Sequence, residues 1–450
     1  MIDQTDFRLA FILPQFRRIL ASVASGITVL PSVGIPRWQR PVEQLNRLIQ
    51  STWSIQTIVL DVLPCGSVSR PCAVIEVLTP NWRYADQGFG AVHPDDIDAT
   101  SLSDEERMHI MNILDGGKTA LLFSRLGWID EVQQWIQASV PDRVVRFNGD
   151  VRQLQAGGNF ALIRFGTREG CCYWFKATGF PNAHEFSITR TLAQYFPHFL
   201  PPLVAAREDW NAWVMEDAGS AIRECMNLRA LLRAVDALSA LQKQSVLHTK
   251  VLLNAGCTDQ SFVVLQSNLE ELIDYIEEAM EEQLSAKAPP LDKTQLRDLR
   301  TTLNDACLRM LDLEIPDTLI HIDINPGNVL FDGTRSVFID WAEGAIGNPL
   351  VTFEHLAAHL TREGEHAKAW LPILRAQYRK KWLDLLSGPQ IDRAFALAPL
   401  LAVATYLYGR GDWLRSPQRH DRGFQAHARS LARHMNRAAR APEFMEALCR

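Results

Sequence analysis

The stretch 321–341 constrains this chain more than any other part of its sequence. It reads HIDINPGNVLFDGTRSVFIDW, and three polar residues in it, Asp323, Asn328 and Asp340, stand next to apolar runs. We expect those runs to be buried strands, so that the two carboxylates and the carboxamide need a partner that offsets their loss of water. A divalent cation such as Mg²⁺ is the simplest partner, because it prefers oxygen ligands.

The spacing of these residues is typical of a phosphoryl-transfer loop. Asp323 and Asn328 stand in the order His-x-Asp-x-x-x-x-Asn, in which the aspartate accepts the proton of a substrate hydroxyl and the asparagine holds a metal ion. A predicted hairpin with its turn at Asp332-Gly333 brings Asp340 back beside Asn328, where its carboxylate can bridge Mg²⁺ to phosphate. The alternative is an ordinary hairpin, in which Asp323 caps a turn and Asp340 ends a strand.

The same stretch resembles the aminoglycoside phosphotransferase and choline kinase family. That family usually has His-Gly-Asp-Leu-His-Pro-Gly-Asn, then Ile-Asp-Trp or Ile-Asp-Phe, then Gly-x-Pro. The corresponding segments here are HIDINPGN at 321–328, IDW at 339–341 and GNP at 347–349. The chain departs from the pattern at Ile322, where glycine is usual, at Asn325, where histidine or another polar residue is usual, and at Thr352, where an aspartate is frequent.

The resemblance implies a kinase that transfers the γ-phosphate of ATP to a small-molecule hydroxyl. Asp323 would be the catalytic base, and Asn328 and Asp340 would be the magnesium ligands. Such a kinase also needs a lysine on a strand, to neutralise the α- and β-phosphates. Lys176, near the end of the aromatic-rich run 172–177, is the candidate. Glu185 would hold it, although Asn182 and Glu185 also have the spacing of a capping box.

Two further elements complete the predicted nucleotide site. A hairpin over 151–165 turns at Gly157-Gly158, where glycine lets the backbone approach phosphate closely; an ordinary hairpin turn has the same composition. An apolar strand at 212–215 leads into a hinge. By resemblance, Met215 would contact adenine, and the backbone of Glu216 and Ala218 would make hydrogen bonds to it.

The predicted fold class is α+β: a protein-kinase-like fold of two lobes, preceded by a separate N-terminal α+β domain. The boundaries are 1–140 for the N-terminal domain, 141–218 for a small sheet-rich lobe and 219–450 for a larger helical lobe. In the N-terminal domain we expect helices over 7–23, 42–51, 104–114 and 128–138, strands over 55–63 and 72–78, and a loop over 84–100. The sequence of the N-terminal domain does not indicate a function.

Composition agrees with a soluble globular protein. Charged residues make up 22% of the chain, and the net charge of −6 disfavours a nucleic-acid partner. The eight cysteines form no Cys-x-x-Cys pair, which favours free thiols and a cytoplasmic location. The early charged residues do not fit a signal peptide, and we expect no membrane span. ATP and Mg²⁺ are the expected cofactors, a small-molecule hydroxyl is the expected acceptor, and the oligomeric state is open.

Three alternatives remain from the sequence. The chain could be a catalytically silent binding or regulatory protein with a kinase-like fold. His355 and His359, four apart on one helix, could begin a zinc site, although no third ligand is evident. The acidic face of a predicted helix over 267–284 could attract a cationic substrate, although a solvated helix surface explains it as well.

Overall fold

The computed structural model describes residues 4–24, 27–37, 40–65, 68, 70–116, 121–141, 143–409, 414 and 417–449, and the structural statements below concern these residues. Contacts divide the chain into two compact units. The first comprises 1–186 and 202–217, and the second comprises 187–201 and 218–450.

The N-terminal part of the first unit is built on a mixed sheet. Its strands are β1 (Gln4–Leu13), β2 (Arg18–Ala24), β3 (Ile27–Val29), β4 (Ser32–Pro36), β5 (Thr57–Leu63), β6 (Cys72–Val77) and β7 (Gly90–Val92). Three helices accompany them: α1 (Pro41–Trp53), α2 (Asp104–Leu114) and α3 (Trp128–Ser139). The main strand order is β3-β2-β1-β6-β5; β4 pairs with β1, β7 pairs with β2, and β1 and β6 run parallel. The predicted strands 55–63 and 72–78 and the last three predicted helices are confirmed within a few residues.

The predicted helix over 7–23 is wrong, because this stretch forms β1 and β2. Along β1, Ala10 and Ile12 pack into one hydrophobic cluster, while Leu9 and Phe11 pack into another. Because both faces of β1 are buried, the run 9–13 is apolar without interruption and lacks the alternation that distinguishes a strand from a helix. The predicted loop over 84–100 contains the short strand β7.

The second sheet of this unit is the predicted sheet-rich lobe. Its strands are β8 (Phe147–Gln155), β9 (Ala161–Thr167), β10 (Cys172–Ala177), β11 (Leu203–Arg207) and β12 (Ala212–Glu216). All neighbours are antiparallel, in the order β11-β12-β10-β9-β8. Helix α4 (Glu185–Tyr195) follows β10, beginning in the first unit and continuing in the second.

The two sheets of the first unit share one hydrophobic core. Ala10 and Ile12 of β1 belong to the same buried cluster as Phe165 of β9 and Phe175 of β10. The N-terminal part of the chain covers the apolar face of the second sheet, so the core does not stop at residue 140. A domain boundary at 140 therefore stays a prediction.

The second unit is mostly helical. After the end of α4, its helices are α5 (Leu228–Ser245), α6 (Thr249–Asn254), α7 (Phe262–Ser267), α8 (Leu269–Glu281), α9 (Lys293–Leu311), α10 (Pro349–Arg362), α11 (Glu365–Lys368), α12 (Leu371–Trp382), α13 (Gly388–Gly409), α14 (Arg422–Ala438) and α15 (Pro442–Cys449). Two three-stranded sheets interrupt them, β13-β16-β17 and β14-β18-β15. Their strands are β13 (Ser220–Ala221), β14 (Thr258–Asp259), β15 (Thr318–His321), β16 (Val329–Phe331), β17 (Ser336–Phe338) and β18 (Gly344–Gly347).

One helix among the described residues, α13, is long and apolar enough to cross a membrane. Of the most apolar part of α13, 67% is buried inside the fold. The core helix of a globular protein can have the same length and hydropathy. All eight cysteines are without a disulfide partner, as expected.

Candidate active site

The loop between β15 and β16 holds Asp323 and Asn328 in direct contact. The side-chain amide of Asn328 donates from Nδ2 to the backbone oxygen of Asp323 at 2.9 Å and to its carboxylate Oδ2 at 3.3 Å. Both residues are half-buried. Because Nδ2 faces Asp323, the carboxamide oxygen of Asn328 is the atom left to meet a metal ion.

The predicted hairpin is confirmed, and it returns the chain to Asn328. Val329 pairs with Phe338 across β16 and β17, and the amide of Ile339 donates to the carbonyl of Asn328 at 3.1 Å. The turn is stabilised by Asp332, whose carboxylate accepts from the amide of Arg335 at 2.8 Å. Asp340 therefore follows directly after the residue that is bonded to Asn328.

The expectation that all three polar side chains lie in buried surroundings is wrong for Asp340. Asp323 and Asn328 are half-buried, whereas Asp340 is exposed and lies beyond the last residue of β17. Its backbone has a φ of 68°, in the left-handed region that few residues other than glycine adopt. The turn directs the chain out of the sheet, so the carboxylate of Asp340 reaches solvent rather than the core.

His321 is a structural residue of this loop. It is 1% exposed, and its backbone amide donates to Thr352 Oγ1 at 2.9 Å. Its Nε2 lies 3.0 Å from the carbonyl oxygen of Ile339, which can only accept, so Nε2 carries the proton. The imidazole packs on Trp341 with ring centroids 4.7 Å apart. His321 thereby ties the start of the loop to the residue before Asp340.

The three departures from the family pattern are accommodated by local contacts. Ile322 is buried in the core, where its amide donates to the carbonyl of Glu343 at 3.1 Å. Asn325 accepts from the amide of Gly327 at 2.9 Å and donates to the carbonyl of Asp323 at 3.0 Å. The hydroxyl of Thr352 accepts the amide of His321, as described above. Each of the three residues therefore has a defined contact in or beside the loop that holds Asp323 and Asn328.

Arg223 also contacts the loop between β15 and β16, and the sequence did not predict this contact. Its Nη2 donates to Asn325 Oδ1 at 3.3 Å, and its backbone amide donates to the carbonyl of Pro326 at 2.9 Å. Its Nε also pairs with Glu363 Oε1 at 3.1 Å. Arg223 precedes Asn325 by 102 residues, so no local pattern could have revealed the contact.

In the first unit, Lys176 and Glu185 form the predicted ion pair. Lys176 Nζ lies 2.5 Å from Glu185 Oε1, and the two side chains are only 9% and 2% exposed. The amide of Glu185 donates to the carbonyl of Asn182 at 3.0 Å, so the turn before α4 also forms. The carboxylate of Glu185 pairs with the lysine.

The glycine turn joins β8 to β9, as predicted. The carbonyl of Gly157 accepts from the amide of Phe160 at 3.2 Å, which closes the turn. The carbonyl of Gly158 accepts from the amide of Phe123 at 3.1 Å. The second contact comes from the N-terminal part of the chain and was not foreseen.

The predicted hinge follows β12. Met215 and Glu216 are half-buried, and Ala218, the first residue of the second unit after the hinge, is buried. The amide of Glu216 already donates to the carbonyl of Pro202 at 2.9 Å, so only its carbonyl is left for a base. The carboxylate of Glu216 pairs with Arg143 Nη1 at 2.8 Å.

The acidic face of α8 is paired with other side chains of the same chain. The contacts are Lys293 with Glu277 at 2.6 Å and with Glu281 at 3.4 Å, Arg300 with Glu270 at 3.0 Å, His420 with Glu278 at 3.0 Å, Arg419 with Glu278, and Gln425 with Glu282 at 2.6 Å. A cationic substrate would have to displace these partners, so the face is better explained as paired surface than as a substrate site.

The zinc alternative gains no support. His355 is buried beside Tyr406, with ring centroids 5.5 Å apart, and burial lowers its pKa to about 3. Within the described ranges, the group of three or more side chains close enough to share a metal ion is Glu278, Glu282 and His420, which includes neither histidine of α10.

Comparison with solved structures finds distant likenesses among kinases. A choline/ethanolamine kinase family protein from Mesorhizobium loti superposes with a TM-score of 0.47 at 15% identity, covering 71% of this chain and 98% of its own. A macrolide 2'-phosphotransferase from Brachybacterium faecium gives 0.41 at 13%, covering 67% and 98%. A choline kinase from Streptococcus pneumoniae gives 0.40 at 14%, covering 71% and 99%. None of the curated proteins compared with the chain matches it.

A family match comes from the sequence itself. The sequence model of the phosphotransferase enzyme family matches residues 227–393. That segment contains the catalytic loop with Asp323 and Asn328, the hairpin that ends at Asp340, and helix α10. Through this segment, the chain is similar to the phosphotransferase enzyme family.

Proposed function

We propose that this protein moves the γ-phosphate of ATP, bound with Mg²⁺, to a hydroxyl group of a small molecule. The observation that carries the proposal is the double hydrogen bond from Asn328 to Asp323, followed by a hairpin that returns Asp340 to the side of Asn328. A base and two oxygen ligands, held together in this order, are what phosphoryl transfer requires.

Asp323 acts as the base. Its Oδ2 accepts from Asn328, which fixes the plane of the carboxylate, and we assign the other oxygen to the substrate hydroxyl. In this position Asp323 orients the hydroxyl for in-line attack and takes its proton. Catalysis of this kind is mostly positioning and charge stabilisation.

Asn328 and Asp340 hold the metal ion. The carboxamide oxygen of Asn328 and the exposed carboxylate of Asp340 form an all-oxygen donor set, which suits Mg²⁺ and disfavours softer metals. When bound, Mg²⁺ neutralises charge on the phosphate oxygens.

Lys176 neutralises the α- and β-phosphates, and Glu185 keeps its ammonium group in place. The near-complete burial of the pair supports this role, because a lysine buried beside a carboxylate has few other orientations. The turn at Gly157 and Gly158 covers the phosphates. The hinge binds the base through Met215, the carbonyl of Glu216 and the backbone of Ala218.

A transfer assay with ATP labelled at the γ-phosphate tests the proposal. The purified protein is incubated with Mg²⁺ and a panel of amino alcohols, amino sugars, sugars and nucleosides, with the Asp323→Asn variant as the matched control. We expect at least one acceptor to gain label in the wild type and none in the variant. If the protein binds Mg-ATP but neither transfers the label to any acceptor nor hydrolyses ATP, it is a silent kinase-like binding protein instead.

A further inference from the structure

The segment Leu121–Phe123 lies directly against the glycine turn. The amide of Phe123 donates to the carbonyl of Gly158 at 3.1 Å. A Cβ atom added at Gly158 would lie 2.5 Å from Leu121 Cβ, closer than real Cβ contacts come. The φ of Gly158 lies outside the left-handed range, so the backbone itself does not require glycine. Close packing against Leu121 does.

Gly157 differs from Gly158 in this respect. A Cβ atom at Gly157 would meet its nearest neighbour, the carbonyl oxygen of Phe160, at 3.9 Å, which is an ordinary contact. The two adjacent glycines therefore have different surroundings. A Cβ atom would fit at Gly157, whereas Leu121 of the N-terminal part of the chain occupies the space beside Gly158.

The bracing segment, as we call Leu121–Phe123, is anchored through Phe123, whereas the side chain of Leu121 is 53% exposed. The ring of Phe123 is 2% exposed and contacts Trp128 and Phe175, with centroids 5.2 and 5.6 Å away. Phe175 precedes Lys176 on β10 and points to the opposite face of the sheet. The segment thus joins the glycine turn to the strand that carries the lysine.

Strand β8, which leads into the turn, is held by the same part of the chain. The buried side chain of Gln153 accepts from the amide of Val59 at 2.9 Å and donates to its carbonyl at 2.8 Å, as a neighbouring strand would. Arg152 pairs with Glu43 of α1 at 2.7 Å. The hairpin is therefore held both along its first strand and at its turn.

We propose that residues 1–140 brace the glycine turn, with Leu121 and Phe123 as positioning residues that hold it ready for ATP; this inference rests on the proposed function. A turn that is ordered before binding loses less conformational entropy when the nucleotide arrives. The N-terminal part would thereby raise the affinity for ATP without contacting it.

A double-mutant cycle at Gly158 and Leu121 in the full-length protein tests this contact. We expect Gly158→Ala to raise KM for ATP roughly tenfold with kcat nearly unchanged, because the new methyl group displaces the turn. Leu121→Gly removes one side of the brace, and we expect about a threefold rise. In the double variant the clash is gone, so KM should equal that of Leu121→Gly. If the two rises in KM multiply in the double variant instead, Gly158 contacts the nucleotide directly, and the proposal that Leu121 holds the turn is wrong.

Hydrogen exchange of residues 151–167 provides a readout that needs no activity. Leu121→Gly and Gly158→Ala should speed exchange in this hairpin, whereas Gly157→Ala should leave it unchanged. Equal exchange in wild type and Leu121→Gly would overturn the proposal, even if Gly158→Ala fails to fold. Failure of the wild type to bind Mg-ATP by calorimetry would count against the proposed function alone, because the exchange result stands apart from it.

Discussion

Asn328 donates its side-chain amide to two oxygens of Asp323, the backbone carbonyl at 2.9 Å and the carboxylate at 3.3 Å. The carbonyl of Asn328 also accepts the amide of Ile339, directly before Asp340. One residue therefore orients the proposed base with its side chain and positions the proposed metal ligand with its backbone. Asn328 therefore links the proposed base to the chain beside Asp340, although a hairpin lies between them in the sequence.

The buried pair of Lys176 and Glu185 should show strong coupling. Lys176→Met leaves a carboxylate buried without its cation, and we expect a loss of about 3–5 kcal/mol in the free energy of unfolding. Lys176→Met/Glu185→Leu removes both charges and should recover most of that loss. Both variants should lose kcat/KM for ATP. Denaturant unfolding and steady-state kinetics measure the two effects, and additive stability losses would show that the pair is not coupled.

Substitutions of Asp340 should weaken the binding of Mg-ATP more than they lower the free energy of unfolding. Asp340→Gly suits a φ of 68°, so its free energy of unfolding should stay within about 1 kcal/mol of the wild type. Asp340→Ala should be the less stable of the two, because alanine is strained there. Both lose a metal ligand, and calorimetry should show weak binding of Mg-ATP. Wild-type affinity in either variant would remove Asp340 from the metal site.

His355 should make the protein less stable in mild acid. Burial, with His359 and His321 nearby, lowers its pKa to about 3. The imidazole of the unfolded chain takes up a proton as the pH falls below about 6.5, while the folded one stays neutral until about pH 3, so the unfolded state binds more protons in this window. Between pH 7 and pH 5 this should lower the free energy of unfolding by about 2 kcal/mol.

His355→Gln is the variant that tests this pH dependence. Denaturant unfolding measures the free energy of unfolding at both pH values. From pH 7 to pH 5 it should fall by about 2 kcal/mol less in this variant than in the wild type. The exposed His366, changed to Gln, is the control and should keep the wild-type difference. The same loss in the wild type and in His355→Gln would mean that the pKa of His355 is the same in the folded and the unfolded protein.

Much of the site could be predicted because its determinants are local in sequence. The hairpin after Asn328 depends on a turn of four residues, and the pairing of Lys176 with Glu185 depends on a strand followed by a helix nine residues later. Short spacings of this kind translate directly into geometry.

The features that could not be predicted depend on distant contacts. The first strand, β1, looked helical because both of its faces are buried, and only the neighbouring strands decide that. Arg223 meets Asn325 across 102 residues, and Leu121 meets Gly158 across two different parts of the chain. The exposure of Asp340 depends on how the chain leaves β17. None of these contacts leaves a periodic signal.

The central claim is that Asp323 is the base of a phosphoryl-transfer reaction, and the Asp323→Asn variant tests it most directly. The variant keeps the size of the side chain but cannot take up the hydroxyl proton. We expect calorimetry to show Mg-ATP affinity within about threefold of the wild type, while transfer of the γ-phosphate to the acceptor falls by a factor on the order of 10² or more. Near-normal transfer by Asp323→Asn would contradict the account.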